Sequence, residues 1–264
     1  MSKEILLKRI ENKTIFPIVE DYDTEYYLIG LTKKDQNKLR TIPMAPLCKE
    51  DVDILKCEGY KFPSEMSEIG TILIRNPFRP FEFVSIDTSQ DDLIKGHLSD
   101  MAAIFLALGA EECNESAAIF SKETLNVSGD GEVNVKKVKV KGLFSLFKKF
   151  EKRNDISLNI VGKSKYQSYK DRYEAAQQTI KKYRLLGIKT IEDVMELFDP
   201  ITGNRPPSYN YKEELTTELH KRIKGSLEIK AMGMFDFNGK IDVKQYSYEN
   251  LKIEKTIKFS PTND

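Results

Sequence analysis

The sequence predicts an α+β fold with a mixed, mainly antiparallel sheet and long helices packed against it. Apolar residues repeat every three to four positions between residues 94 and 108 and again between residues 166 and 183, as on one face of a helix. Between these stretches, and near the end of the chain, apolar residues alternate as they do in strands. The 264 residues are 40% apolar and 31% charged, which is typical of a globular protein.

Residues 1–88 are predicted to be β-rich. Residues 89–264 are predicted to combine helices and strands, either as a second domain or as part of one continuous domain. Pro17 places the first strand at a sheet edge or a bulge, because proline cannot donate a hydrogen bond to a neighbouring strand. A short helix from Asp51 to Lys56 is expected to end near Gly59. The strands predicted in this part are residues 14–19, 26–29, 71–74 and 81–86.

The strongest helical pattern follows Ser89, whose hydroxyl is suited to cap a helix N-terminus. From Met101 onward apolar residues fill every side of this helix, so its second half is predicted to be buried all round. Gly109 is expected to end the helix in the left-handed conformation. Gly96, inside the helix, predicts the close approach of another backbone. The residues that repeat on the buried face are Ile94, Leu98, Met101, Phe105 and Leu108.

Strand periodicity replaces the helical period after Gly109. The alternating valines change parity between Val135 and Val138, which predicts either a β-bulge at Lys136-Lys137 or a change in the buried face. A short amphipathic helix is expected at residues 143–153. The strands predicted in this part are residues 117–120, 125–127, 133–140 and 156–160.

The second helical repeat carries a stripe of tyrosines, which predicts either core packing or stacking on nucleic-acid bases. The stripe contains Tyr166, Tyr169, Tyr173 and Tyr183. Gly187 is expected to end this helix, and Thr190 to begin a short helix that stops at Asp199-Pro200. The elements predicted beyond it are a helix at residues 211–223, strands at 227–235, 241–243 and 251–259, and a hairpin loop at 237–239. The pair Thr216-Thr217 leaves a strand open as the alternative to the helix at 211–223.

Several features predict a cytoplasmic, bacterial protein. The first residues contain no apolar signal segment, and no apolar run approaches the ~20 residues that span a bilayer. Cys48, Cys57 and Cys113 show no CxxC spacing, as expected in a reducing compartment. Enrichment in lysine, isoleucine and asparagine is typical of proteins from AT-rich bacterial genomes.

No motif for a cofactor or a metal is present in the sequence, so neither is expected. Gly129-Asp130-Gly131 lacks the lysine and serine or threonine of a phosphate-binding loop. His97 and His220 are too far apart for a zinc motif, and no nucleophile–base arrangement is readable. A function without catalysis is therefore favoured.

The leading hypothesis is a non-enzymatic binding or assembly protein with a basic interaction face. Between Glu132 and Arg153, eight basic side chains stand against two acidic ones, although the whole chain carries a net charge of only +1. The expected partner is a protein, with an anionic lipid or a nucleic acid as further possibilities for such a segment. The predicted binding residues are Lys136, Lys137, Lys139, Lys141, Lys148, Lys149, Lys152 and Arg153.

Two alternative functions stay open from the sequence. Phe144, Phe147 and Phe150 lie opposite the lysines of segment 143–153, as in an interfacial helix of a membrane-acting effector. A metal-dependent nuclease would instead use an aspartate with an acid-x-Lys pair on one side of a strand. The candidates for that arrangement are Asp199, Glu228 and Lys230.

Overall fold

Helices and two antiparallel sheets make up the computed structural model, which confirms the predicted α+β class. It describes residues 2–20, 33–64, 69–85, 90–127, 133–140, 168–214, 221–222, 224–226, 228–229 and 246–261. The helices are α1 (Lys3–Ile10), α2 (Lys33–Arg40), α3 (Lys49–Cys57), α4 (Gln90–Ala107), α5 (Tyr169–Tyr183) and α6 (Lys189–Leu197). The strands are β1 (Ile15–Pro17), β2 (Ile72–Arg75), β3 (Phe83–Ser85), β4 (Ala110–Val127), β5 (Val133–Val140), β6 (Ser208–Glu214) and β7 (Tyr246–Phe259). None of the described helices is both long enough and apolar enough to cross a membrane.

The first sheet has the order β1-β2-β3, with β1 at its edge. Pro17 lies in this edge strand, as its missing N–H predicts, and pairs in register with Ile72. The predicted strand at residues 26–29 falls outside the described residues. Aromatic residues fill the space beneath the sheet, where the rings of Phe16 and Phe83 meet edge to face at 4.8 Å.

The second sheet has the order β5-β4-β7-β6. Its central strand β4 runs through both predicted segments, 117–120 and 125–127, as one strand of 18 residues. The pairing of β4 with β5 continues without interruption past Lys136 and Lys137, so no bulge lies there and the change of valine parity is a change of face.

Helix α4 confirms the predicted buried face. The prediction that its second half is buried on every side was wrong, because Ala102, Ala103, Leu106 and Ala107 are only half-buried. Met101 and Phe105 have no exposed surface, and Leu108 is 2% exposed. Gly109 ends the helix with a φ of +96°, as predicted. The prediction for Gly96 was wrong for the part of the chain that the structure describes, because there the group nearest this glycine is the guanidinium of Arg79 and not a backbone.

One cluster of buried residues joins elements from both halves of the sequence. It combines Ile15 and Ile74 of the first sheet with Met101 of α4, Val194 of α6 and Ile257 of β7. The apolar surface of α4 thus contacts residues from before and after position 88, while the division of the chain into domains stays a prediction.

The helices after residue 168 differ from their predicted limits. α5 ends at Tyr183 because Arg184 takes the left-handed conformation, with φ 55°, and its N–H bonds to Lys181 O over 3.2 Å. Gly187, the predicted end, instead has a φ of +84° in the turn before α6. α6 begins at Lys189, before the predicted cap Thr190.

Two further predictions were wrong near residue 211 and near residue 229. Tyr211 lies on strand β6 and not in the predicted helix. The helix prediction fails because a spacing of four residues fits one face of a strand as well as one face of a helix. Ile229, predicted in a strand, lies with residues 221–222, 224–226 and 228 in a helical segment. Gly225 and Ser226 are buried with it, and because neither carries an apolar side chain, an apolar pattern does not show the helical period.

Candidate ligand-binding cavity

The predicted basic face falls largely outside the described residues. Lys136, Lys137 and Lys139 belong to β5, the outer strand of its sheet, where Lys137 and Lys139 have one parity and Lys136 the other. The face as a whole therefore stays a prediction. The residues outside the described part are Lys141, Lys148, Lys149, Lys152 and Arg153, with Phe144, Phe147 and Phe150 of the membrane hypothesis.

The nuclease arrangement loses its strand. Glu228 lies in a helical segment, where residues two apart do not share a side, and Lys230 is outside the described residues. Asp199 closes a turn, accepting backbone N–H bonds from Ile201 and Thr202 over 2.8 and 2.9 Å. These bonds hold the pKa of Asp199 below its usual value. Within the described part of the chain, no group of three or more His, Cys, Asp or Glu side chains is arranged to hold a metal ion.

A cavity of about 320 Å³ lies where the end of α4, the start of α5 and the end of β7 meet. The loop between α6 and β6 completes its wall. Two guanidinium groups, those of Arg172 and Arg205, face the cavity together with aromatic rings and prolines. The apolar lining residues are Leu108, Tyr169, Phe198, Pro206, Pro207, Phe259 and Pro261.

The first turn of α5 supplies Tyr169 and Arg172. Ser168 caps the helix by accepting the N–H of Asp171 over 3.2 Å, which fixes where the helix begins. Residues three apart share a helical face, so Tyr169 and Arg172 reach the same cavity. Arg172 is buried and donates from Nη1 to the carbonyl of Ser260 over 2.9 Å, tying α5 to the end of β7.

The aromatic wall is a chain of three rings. Tyr169 stacks on Phe198 with a centroid distance of 6.5 Å, and Phe198 meets Phe259 at 4.5 Å. The hydroxyl of Tyr169 donates to the carbonyl of Phe198 over 2.7 Å. Burial raises the pKa of Tyr169 to about 12, against the opposing effect of Arg205. The phenol is therefore protonated at neutral pH and contributes an apolar ring to the wall.

Gly109 makes the junction at the end of α4 possible. Its carbonyl accepts hydrogen bonds from the backbone N–H of Ser260 over 3.0 Å and from the Ser260 hydroxyl over 3.1 Å. A methyl group at Gly109 would lie 2.5 Å from Nη1 of Arg172. Only glycine satisfies both the positive φ and this close approach.

A tight loop presents Arg205 at the opposite wall. The N–H of Gly203 donates to the carbonyl of Asp199 over 2.8 Å, and Arg205 itself has a φ of 46°. The Arg205 guanidinium lies 4.0 Å from the centre of the Tyr169 ring and donates from Nη2 to the carbonyl of Pro200 over 2.8 Å. Among the described residues no carboxylate pairs with Arg205, whose side chain is exposed.

The described lining consists of apolar side chains, two guanidinium groups and two hydroxyls. Among the described lining residues there is no histidine, cysteine or carboxylate that would act as a base or nucleophile. The two hydroxyls that line the cavity, those of Tyr169 and Ser260, donate to backbone carbonyls. What the cavity offers a ligand is positive charge and apolar surface.

A second polar region, which we call the buried cluster, surrounds the middle of α4. Nε2 of His97 lies 2.7 Å from Glu213 Oε2, and the hydroxyl of Thr190 donates to Glu213 Oε1 over 3.3 Å. The hydroxyl of Tyr211 also donates to Glu213. Burial acts to raise the pKa of Glu213, but the hydrogen bonds from these groups and the charge of His97 outweigh it, so the pKa lies below its usual value.

One turn further along α4, the buried cluster contains a second ion pair. Nε of Arg79 donates to Asp100 Oδ2 over 2.9 Å, and Nη1 lies 3.4 Å from Glu82. The Phe78 ring beside Arg79 stacks on His97 at 4.5 Å. Because each charged side chain here meets one of opposite sign, the buried cluster joins the loop after β2 to α4 and β6.

The sequence patterns missed the two arginines of the cavity. Arg172 lies on the tyrosine stripe, and a charged residue on an otherwise apolar helical face is a signal for a buried contact or a site. Tyr169 confirms the core interpretation of that stripe, whereas Tyr166 lies outside the described residues. Nothing in the periodicity around Arg205 distinguishes it from other loop residues.

Comparison with models of protein families, with curated proteins and with solved structures found no match to this chain.

Proposed function

We propose that this protein is a non-enzymatic binding protein of the bacterial cytoplasm and that the cavity at the end of α4 binds an anionic group. The observation that carries this proposal is the placement of Arg172 and Arg205 on the walls of one cavity with an aromatic lining. Its volume, about 320 Å³, lies at the lower end of the range for small-molecule sites.

The chemistry of Arg205 supports an anionic ligand. A guanidinium carries five N–H donors in a planar fork that matches the oxygens of an acid group. One of the Arg205 donors is used by Pro200, and the flat group rests on the Tyr169 ring. This contact holds the guanidinium in one orientation and so reduces the entropy lost on binding.

A second proposed contact surface is the basic segment. β5 is one of the two outer strands of the described sheet, and three of the eight basic residues lie on it. The proposed partner of this segment is a protein, a lipid surface or a nucleic acid. Co-sedimentation with anionic liposomes and gel shifts with DNA and RNA at two salt concentrations test this surface. The matched variant is Lys148→Glu with Lys149→Glu. Absence of all binding at low salt would limit the proposed contacts to the cavity and to protein partners.

Thermal denaturation of the full chain with a panel of anions tests the cavity. Benzoate, phosphate, sulfate and phenyl phosphate are each added, because a ligand that binds only the folded state raises the melting temperature. We expect at least one of them to stabilise the native protein and to lose that effect in Arg205→Gln.

Arg184→Gln is the matched control, because Arg184 and Arg205 are the two non-glycine residues with positive φ in the described part of the chain and both are exposed. Arg184 should not matter, because it does not line the cavity. No response to any anion, or an equal loss in both variants, would contradict binding in the cavity.

A further inference from the structure

The charges around the cavity limit the ligand to a low negative charge. Arg172 and Arg205 are positive, and Asp199 begins the loop that carries Arg205. The hydroxyl of Tyr173 donates to Asp199 over 3.4 Å, so this carboxylate lies beside the α5 face that lines the cavity. Asp199 and Arg205 also act in opposite directions on the pKa of Tyr169, which places both charges near that ring. The guanidinium of Arg205, with one carboxylate nearby, matches a single negative charge better than a dianion.

The donors of Arg205 point to a planar acid group. One hydrogen of its Nη2 bonds to the carbonyl of Pro200, while Nε and Nη1 have no hydrogen-bond partner among the described residues. One edge of the guanidinium, formed by the second Nη2 hydrogen with Nε or Nη1, is therefore left for a ligand. A carboxylate accepts parallel N–H bonds from one guanidinium edge in its own plane. The tetrahedral phosphate group carries up to two charges and therefore suits this charge balance less well.

The remaining walls favour an apolar body on the ligand. The rings of Tyr169, Phe198 and Phe259 and the adjacent prolines form a continuous apolar surface. Aromatic and proline side chains pack well against a flat ring. The cavity of about 320 Å³ has room for one ring and a short acyl chain and not for a large cofactor.

We propose that the ligand is a monocarboxylate with an aromatic or other apolar body, bound with its carboxylate on Arg205 and its body against the three rings. This inference rests on the proposed binding function and narrows it to one chemical class. Arg172 acts as a positioning residue, because its bond to Ser260 holds α5 and the end of β7 together at the floor of the site.

Isothermal titration calorimetry of the full chain with three probes of similar body tests this class. N-acetyl-phenylalanine carries the carboxylate, its primary amide removes only the charge, and phenyl phosphate replaces the carboxylate by a phosphate. We expect the carboxylate to bind roughly tenfold or more tightly than either of the others, because charge-assisted hydrogen bonds are lost in the amide.

Variants of Arg205 link the affinity to this residue. Arg205→Gln should weaken the affinity for the carboxylate probe by roughly tenfold. Arg205→Lys keeps the charge without the planar fork of donors, so its affinity should lie between those of the native protein and Arg205→Gln. The Arg205 variants should fold, since the Arg205 side chain is exposed. The control variant Arg184→Gln should bind the carboxylate probe as tightly as the native protein does.

The possible outcomes separate the two proposals. If phenyl phosphate binds best, or if the amide binds as well as the acid, the carboxylate inference fails while the binding function stands. If none of the three probes binds but an anion from the thermal panel does, again only the carboxylate inference fails. If no anion in either experiment binds, both proposals fail.

Discussion

Helix α4 adjoins two charged regions that differ in the partners of their arginines. In the buried cluster around its middle, Arg79 meets Asp100 and Glu82, and its bond to Asp100 raises the pKa of the guanidinium. At the end of the same helix, the guanidinium of Arg205 meets a carbonyl and an aromatic ring beside a cavity. A guanidinium that pairs with a carboxylate of the same chain holds structural elements together. A guanidinium that contacts only neutral groups is available to an external anion.

The largest expected effect is the loss of the Asp100 carboxylate. Asp100→Asn leaves Arg79 without its main partner, and we expect the free energy of unfolding to fall by about 2–3 kcal/mol. This is below the cost for a fully buried pair, because Arg79 is 29% exposed while Asp100 is 5% exposed. Urea denaturation measures the change.

Lys170→Gln is the matched control for Asp100→Asn. The pair Lys170–Glu174 is 77% and 53% exposed, so its loss should change the stability by less than about 0.5 kcal/mol. The anion response of the cavity should survive in folded Asp100→Asn. If that response disappears together with the stability, the two regions are not independent.

The next effect is a pH dependence carried by Glu213. Its pKa in the folded protein lies below the ordinary value of 4.5, so its contribution to stability is present above that value and is lost as the pH falls below it. Its neighbours in the cluster are His97, Tyr211 and Thr190. In Glu213→Gln the free energy of unfolding should therefore fall less between about pH 6 and about pH 3 than in the native protein.

Urea denaturation at several pH values checks this difference. Glu192→Gln provides the control, since Glu192 is an exposed residue of α6. Parallel pH curves for the native protein and Glu213→Gln would show that the cluster does not depend on this carboxylate.

The smallest effect concerns the two glycines of the α4 region. In Gly96→Ala the new methyl group would lie 3.6 Å from the nearest atom of Arg79, which is ordinary contact, so the gain in helix propensity should stabilise the protein by about 0.5–1 kcal/mol. Gly109→Ala should have the opposite sign, because of its positive φ and its contact with Arg172. Thermal and urea denaturation measure the stability of both variants. A change of the same sign in Gly96→Ala and Gly109→Ala would contradict the packing described for these two glycines.

Local patterns predicted α4 well because the information they need is local. A repeat of apolar residues every three to four positions specifies the buried face of a helix, Gly109 specifies its end, and Pro17 specifies an edge strand without reference to distant residues. The spacing of four residues between Tyr211 and Leu215 fits both the helical and the strand period, so the sequence pattern does not distinguish them. The strand at Tyr211 is specified by its pairing with β7, which is distant in sequence.

The cavity was beyond such patterns because four segments that are distant in sequence build it. The helical period places Arg172 on the same face as Tyr169. It does not predict the contact of Arg172 with Ser260, because these residues are far apart in sequence. Arg205 depends on a loop held by Asp199 and Gly203, where hydrogen bonds and not periodicity decide the conformation. The sequence therefore predicts the framework of the site but not the meeting of its two charges.

The pairing of β4 has a consequence for the order in which this protein is made. Ala110 at the start of β4 pairs with Phe259 at the end of β7, and α5, α6 and β6 all lie between them in the sequence. β6 also pairs only with β7 among the described strands. On the ribosome, both β4 and β6 emerge before the strand that joins them. The second sheet, and with it the cavity floor at Ser260, can close only when synthesis has passed residue 259.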